Sequence, residues 1–132
     1  MLEEKNDIQL AQDLAGNLAM FQGTDTWYRH PLCHNFLYTD GVKFFAEHMG
    51  NGAYWFLDII ATEVAELQEQ EEFLAITLKV NEQNKAGNQA VINVTDGNSR
   101  ELYRKTIDYT DAYVGDWKFY LTNNVCLLPS EY

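Results

Sequence analysis

The chain has 132 residues, of which 46% are hydrophobic and 14% aromatic, and it carries a formal net charge of −11. Its apolar content argues against a disordered chain, because disorder combines high charge with low hydrophobicity. Its charge argues against direct binding to nucleic acid, which requires a basic stripe to displace counterions from phosphates.

The N-terminal part of the sequence predicts one helix and a loop. Apolar residues recur at helical spacing from about Asp7 to Met20, and Asn6 is a suitable N-cap for this helix. Residues 22–35 follow as an irregular loop, whose aromatic side chains indicate that it is held against the core. A brief extended segment, Phe36–Tyr38, ends this part of the chain.

Two further helices are predicted before the strands begin. Thr39 or Asp40 caps the second helix, which ends at the glycines of residues 50–52. The third helix runs from about Ala53 to about Gln70. Its predicted core face consists of Phe56, Leu57, Ile60, Ala61, Val64 and Leu67.

Alternating apolar residues predict strands in the rest of the chain. The predicted strands cover residues 73–81, 89–94, 100–108, 117–121 and 125–128. Asp96-Gly97 and Asn123-Asn124 are expected to form turns, because these residue types tolerate positive φ angles. Helices followed by strands predict an α+β fold, with three N-terminal helices packed on a four- to five-stranded antiparallel sheet.

The predicted third helix lies in an acidic stretch, since no Lys or Arg occurs from Phe44 through Thr77. The acidic residues of the helix fall mainly on its outward side, where Trp55 also lies. A surface of this sign attracts basic surfaces on other proteins, and an exposed Trp can anchor a partner. The predicted partner-binding residues are Trp55, Asp58, Glu63, Glu66, Glu69, Glu71 and Glu72.

Catalysis has weaker support in the sequence. A small enzyme could use Asp40 or Asp58 with a histidine as a general acid–base pair. Asp40, however, is first explained as part of a helix start. Cys33 stands beside His34, but no glycine elbow accompanies it. We therefore assign no catalytic residues.

Metal and cofactor binding are also weakly supported. His30, Cys33 and His34 lie close together in the sequence, and Cys126 could complete a zinc site. Their spacing matches no standard zinc signature, and no glycine-rich phosphate loop of the expected form is present. We therefore predict neither a structural metal nor a cofactor.

The sequence predicts a single cytoplasmic domain over residues 1–132. No apolar run reaches the roughly 18 residues of a membrane span. Residues 1–7 lack the basic and apolar regions of a signal peptide. The two cysteines do not indicate a disulfide framework and fit a reducing compartment.

Several short segments resemble an uncharacterised protein family. They are Phe21-Gln22-Gly23-Thr24, Trp27-Tyr28-Arg29, Tyr38-Thr39-Asp40-Gly41-Val42, Tyr54-Trp55-Phe56-Leu57-Asp58-Ile59-Ile60, Asp96-Gly97-Asn98, Asp108-Tyr109-Thr110-Asp111 and Leu127-Leu128-Pro129-Ser130-Glu131-Tyr132. Together they resemble a family of small single-domain proteins of unknown function, found in bacteria and on phages and plasmids. The resemblance implies no activity, but it implies a mobile-element setting, in which small acidic proteins often inhibit host defence or DNA-binding proteins.

We therefore expect a non-enzymatic protein-binding module. Its partner would present a basic surface, such as the nucleic-acid-binding groove that an anti-CRISPR or DNA-mimic inhibitor would exploit. Two alternatives remain open. One is the small enzyme described above, and the other is a homo-oligomeric structural protein joined through exposed sheet edges or Trp55.

Overall fold

The computed structural model describes residues 6–23, 26–84 and 87–132, with the backbone alone at residues 83 and 84. Most of the segment considered for a signal peptide, residues 1–5, lies outside the described residues. Thr24, in the first of the resembling segments, also lies outside them.

The helices begin close to where the sequence predicts them. They are α1 (Asp7–Leu18), α2 (Asp40–His48) and α3 (Tyr54–Ile59), which continues as a π-helix (Ile60–Val64) and a 3₁₀-helix (Ala65–Glu69). We call the continuous helix of residues 54–69 helix three. Asn6 caps α1, because its side chain accepts a 2.8 Å hydrogen bond from the Gln9 N–H. Thr39 caps α2 in the same way, accepting a 3.3 Å hydrogen bond from the Val42 N–H.

Seven strands of the described residues form one mixed sheet. They are β1 (Trp27–Arg29), β2 (Leu37–Thr39), β3 (Phe73–Asn84), β4 (Gly87–Thr95), β5 (Glu101–Thr110), β6 (Gly115–Thr122) and β7 (Val125–Leu127). Their spatial order is β1-β2-β7-β6-β3-β4-β5. Neighbouring strands run antiparallel except β2 and β7, which run parallel.

The prediction of three N-terminal helices on a four- to five-stranded antiparallel sheet was wrong. The sheet is larger and mixed, and β1 and β2 lie between α1 and α2. β1 fell within the predicted loop 22–35, because a three-residue strand is too short to show alternation. β2 was expected only as an extended segment. Its parallel pairing joins distant residues, such as Leu37 and Val125, and leaves no local pattern.

The core lies between the helices and one face of the sheet. The Phe45 ring of α2 lies 4.8 Å from the Phe119 ring of β6 and 5.8 Å from the Phe56 ring of helix three. None of these three side chains is more than 1% exposed. Burying one such side chain stabilises the fold by about 1.5–3 kcal/mol. This packing holds one side of helix three against the sheet and leaves the other side at the surface.

A short 3₁₀-helix, Pro129–Glu131, contacts the start of α2 through the side chain of Glu131. Glu131 Oε1 accepts hydrogen bonds from the Thr39 hydroxyl at 2.6 Å and the Leu128 N–H at 3.0 Å. Its Oε2 lies 3.3 Å from the Gly41 N–H, which donates to it. A Cβ on Gly41 would lie only 2.5 Å from Leu128 Cδ1, so glycine fits this contact best. Two of the segments quoted for the resemblance therefore meet at this point.

Candidate functional site

Helix three changes its winding among the residues predicted to bind a partner. The π-segment Ile60–Val64 widens the turn, and the 3₁₀-segment Ala65–Glu69 then tightens it. The Thr62 hydroxyl of the π-segment donates a 2.7 Å hydrogen bond to the Asp58 carbonyl of α3. A regular step of 100° per residue therefore does not describe how Glu66 is oriented relative to Asp58.

Trp55 lies at the start of helix three and is half-buried. Its ring packs against the core, with the Phe56 ring edge-on at 6.3 Å. Ile59, about one turn later, is also half-buried and packs against the core. The protein itself therefore covers part of the indole, and a partner could reach only the remaining part.

Asp58 is joined to a buried histidine. The His30 side chain is 3% exposed, and its Nε2 lies 2.7 Å from Asp58 Oδ1. Its Nδ1 accepts hydrogen bonds from the backbone N–H groups of Leu32 at 3.2 Å and Cys33 at 3.1 Å. Nδ1 is thus the unprotonated nitrogen, and Nε2 donates to the carboxylate. The pair ties the loop after β1 to helix three and leaves neither ring nitrogen free for a substrate.

Glu63 is paired with the edge strand β5. The Tyr103 hydroxyl donates a 2.8 Å hydrogen bond to Glu63 Oε1, and Lys105 Nζ lies 3.2 Å from each carboxylate oxygen. The hydrogen bonds from Tyr103 and Lys105 lower the pKa of Glu63. Burial, followed by the bond to Glu63, raises the pKa of Tyr103 to about 12. Glu63 therefore fastens helix three to β5, and its charge is largely neutralised.

Glu71, just beyond helix three, has a looser partner. Its Oε1 lies 3.7 Å from Nη1 of Arg100, whose side chain is 70% exposed. An exposed ion pair of this kind contributes only about 0–1 kcal/mol. Arg100 nevertheless offsets part of the charge of Glu71.

The other three predicted carboxylates, those of Glu66, Glu69 and Glu72, line one groove of about 650 Å³, which we call the acidic groove. Its lining residues are Asn35, Ala65, Glu66, Gln68, Glu69, Glu72, Thr122, Asn123 and Asn124. Within the described part of the chain, no cationic group lies within 4.0 Å of these three carboxylates. The acidic groove therefore concentrates negative charge that no cationic group of the described residues neutralises by direct contact.

Gln68 holds the acidic groove in shape. Its Nε2 donates to the carbonyls of Glu72 at 2.8 Å and Leu121 at 3.2 Å, and its Oε1 accepts a 2.7 Å hydrogen bond from the Asn124 N–H. Asn123 and Asn124 have φ angles of 52° and 61°, which asparagine tolerates better than most residues. Gln68 thereby joins the end of helix three to the turn between β6 and β7.

Sequence reasoning did not identify the amide side chains of the acidic groove. Asn123-Asn124 was predicted as a turn, but no local signal places this turn beside helix three. Asn35 lay in the predicted loop, and Gln68 lay among the helical residues without an assigned role. Contacts such as that between Gln68 and Asn124 join distant parts of the chain, so they produce no periodic pattern in the sequence.

The residues considered for zinc have other surroundings. In the described residues, no group of three or more His, Cys, Asp or Glu side chains is arranged to hold a metal ion. His30 is engaged as described above, and His34 Nε2 donates a 3.2 Å hydrogen bond to the Pro31 carbonyl. Cys126 is buried, which raises the pKa of its thiol, and Cys33 is half-buried and free.

Asp40, the other residue considered for catalysis, lies in the first turn of α2 and is half-buried. A carboxylate at this position interacts favourably with the positive end of the helix dipole. The neighbouring Thr39 hydroxyl is already occupied by the Val42 N–H and by Glu131. Asp40 therefore has a structural explanation at the start of α2.

None of the helices in the described residues combines the length and apolar character needed to cross a bilayer.

The comparisons with known proteins concern almost the whole chain. No curated protein and no solved structure matches the chain. A family model of unknown function, DUF6876, matches residues 12–132, a range that includes every residue of the acidic groove. The chain therefore belongs to DUF6876, a family of unknown function.

Proposed function

We propose that this protein is a non-enzymatic binding module whose acidic groove receives a basic surface of another protein. The observation that carries the proposal is the set of three carboxylates, on Glu66, Glu69 and Glu72, that line one groove without a cationic partner among the described residues. Carboxylates placed in this way attract cationic surfaces at long range and speed encounter. Once a partner excludes water, they form charge-assisted hydrogen bonds.

Arginine side chains are the partner groups that the acidic groove fits best. A guanidinium presents several N–H donors in a planar fork, which matches a carboxylate geometrically. The amides of Asn35 and Asn123, which also line the groove, can accept or donate further hydrogen bonds. The hydrogen bonds of Gln68 keep the groove in shape before the partner arrives, which reduces the entropy lost on binding.

The pair formed by His30 and Asp58 is the specific observation that would favour a small enzyme. In a catalytic pair of this kind, the carboxylate orients one ring nitrogen while the other nitrogen takes a proton. In this protein the other nitrogen, Nδ1, already accepts two backbone hydrogen bonds, and the ring is buried. We therefore infer a structural role for the pair and prefer the binding function.

We further propose that the partner binds nucleic acid and that this protein competes with DNA for it, as an anti-CRISPR or DNA-mimic inhibitor would. The sequence resemblance to bacterial, phage and plasmid proteins supports this setting. The net charge of −11 also supports it, because such a charge repels phosphates and attracts the surfaces that bind them. For the same reason, the protein itself should not bind duplex DNA at physiological salt.

The test begins with the immobilised protein and a nuclease-treated bacterial lysate, from which retained proteins are eluted by a salt gradient and identified. The association rate of a purified partner is then measured for the double variant Glu66→Lys/Glu69→Lys, and it should fall roughly tenfold. The control is Glu82→Lys/Asp116→Lys, which makes the same charge change at exposed positions that do not line the groove. The control should lower the rate much less.

Three results would contradict the proposal. Equal association rates for the two double variants would mean that net charge, and not the acidic groove, governs binding. A partner that stays bound in saturating duplex DNA would rule out the competition. Binding of the protein itself to labelled duplex DNA at micromolar concentration would contradict the expected repulsion, since even non-specific DNA binders reach about 10⁻⁴–10⁻⁶ M.

A further inference from the structure

β5 is the long edge of the sheet. It has ten residues and pairs with β4 on one side, and no strand of the described chain pairs with its other side. Such an edge presents unpaired N–H and C=O groups that can receive another strand. The opposite edge, β1, offers only three residues.

The pairing with β4 determines which β5 side chains share a face. Tyr103 and Lys105 lie opposite buried residues of β4 and reach Glu63 of helix three, so they are on the helix side of the sheet. Side chains alternate along a strand. The open side therefore carries Arg104 and Thr106, and Asp108, which follows the regular pairing directly, is also exposed.

We propose that a second copy of this chain pairs with β5, antiparallel and edge to edge, about a twofold axis at Thr106. In this register, Arg104 of each copy lies opposite Asp108 of the other, which forms two ion pairs related by symmetry. Thr106 lies opposite its own counterpart, and a Thr–Thr pair across strands is favourable. Arg104 is 63% exposed and already contacts Glu101 at 2.6 Å, so Asp108 of the other copy would be its second carboxylate.

Neighbouring twofold registers fit less well. An axis at Arg104 would place the two Arg104 side chains opposite each other, which destabilises a strand pair. An axis at Lys105 would place Arg104 opposite Thr106 of the other copy, which carries no charge. An axis at Ile107 would leave Arg104 without an opposite charge. Register shifts in the pairing of β4 with β5 leave a regular stretch of about residues 103–107, which contains Arg104 and the axis at Thr106 and ends one residue before Asp108.

Lys105 does not prevent this pairing. An inward-facing charge on an edge strand normally blocks the approach of another strand. Glu63, however, lies 3.2 Å from Lys105 Nζ and neutralises it.

The acidic groove borders the turn between β6 and β7, three strands from β5 in the sheet, so the pairing is independent of the proposed partner binding.

The test is sedimentation velocity from about 1 to 100 µM, a range that detects weak association. The average mass should rise with concentration toward twice the chain mass of 15.2 kDa. Arg104→Asp and Asp108→Arg each place like charges opposite each other, so each should weaken dimerisation at least about tenfold. An equimolar mixture of the two variants restores both opposite-charge pairs in a heterodimer and should recover the association.

The controls are Lys118→Asp and Asp116→Arg, which make the same charge changes on exposed residues of β6 and should leave dimerisation within about twofold of the original. Circular dichroism checks that each variant is folded. The double variant Arg104→Asp/Asp108→Arg exchanges the two charges, so that both opposite-charge pairs form again between two identical copies, and it should also dimerise. A chain that is monomeric throughout this range would overturn the proposal. So would single variants that dimerise normally, or a mixture that does not.

Discussion

Glu131 illustrates how a single side chain can connect distant parts of the chain. It is buried, and its carboxylate accepts hydrogen bonds from Thr39, Gly41 and Leu128. We expect Glu131→Gln to destabilise the protein by about 1–3 kcal/mol, because an amide cannot accept all of these bonds. Urea unfolding measures the change, with the exposed Glu82→Gln as the control. Equal midpoints for the two variants would show that the carboxylate is dispensable.

Tyr103 should make stability depend on pH at alkaline values. Burial and the bond to Glu63 raise the pKa of Tyr103 from 10.0 to about 12, so the folded protein holds this proton more tightly than the unfolded chain. The resulting stabilisation is complete below pH 10 and is lost as the pH rises from 10 toward 12.

In Tyr103→Phe, the free energy of unfolding should therefore decline less steeply over that interval than in the original protein. Urea titrations at a series of alkaline pH values measure the two slopes. Tyr109→Phe is the matched control, since Tyr109 lies on the same strand and is 65% exposed. If Tyr103→Phe and the original protein lose stability in parallel, proton release from Tyr103 does not contribute.

At the level of elements, the end of helix three depends on Gln68. We expect Gln68→Ala to destabilise the protein by about 1–3 kcal/mol, because the Leu121 carbonyl and the Asn124 N–H each lose a hydrogen-bond partner. The variant should also slow association with any partner of the acidic groove, since the groove loses its fixed shape. Gln70→Ala, at an exposed neighbouring position, should leave both quantities nearly unchanged. Similar effects of the two substitutions would contradict the assigned role of Gln68.

Helix three also shows which structural features a local sequence pattern can predict and which it cannot. The pattern predicted its extent closely, and Phe56, Ile60 and Val64 of the predicted core face are fully buried. Leu67 is only half-buried, because the helix has by then changed from α through π to 3₁₀ winding. That change depends on packing against the sheet, which a local pattern does not contain. The mixed sheet was missed for a related reason, since the pairing of β2 with β7 joins residues far apart in the chain.

The sequence likewise predicted only part of the candidate site. The acidic stretch was visible in the sequence, and three of its carboxylates line the acidic groove. Sequence alone could not distinguish them from Glu63, because Tyr103 and Lys105 reach that residue only through the tertiary fold. The same applies to Asp58, whose partner His30 comes from the loop after β1.

For the whole molecule, the net charge of −11 should make stability depend on salt. Repulsion among like charges destabilises the compact state, and added salt screens this repulsion. Raising NaCl from about 10 to about 150 mM should therefore raise the melting temperature by roughly 2–6 °C. The triple variant Glu66→Gln/Glu69→Gln/Glu72→Gln should melt higher at low salt and respond less to added salt. Differential scanning calorimetry measures the melting temperature of each protein at both salt concentrations. Identical salt responses would show that repulsion among the carboxylates of the acidic groove does not lower stability.

The position of β7 between β2 and β6 has a consequence for the order in which the chain folds during synthesis. A ribosome releases β2 long before β7, the strand that connects β2 to the rest of the sheet. Until then, β1 and β2 form at most a two-stranded ribbon, which is marginally stable by itself. β3 to β6 can meanwhile pair antiparallel with one another. The early helices and strands of the growing chain therefore remain exposed to chaperones and proteases until β7, the strand that completes the sheet, has been translated.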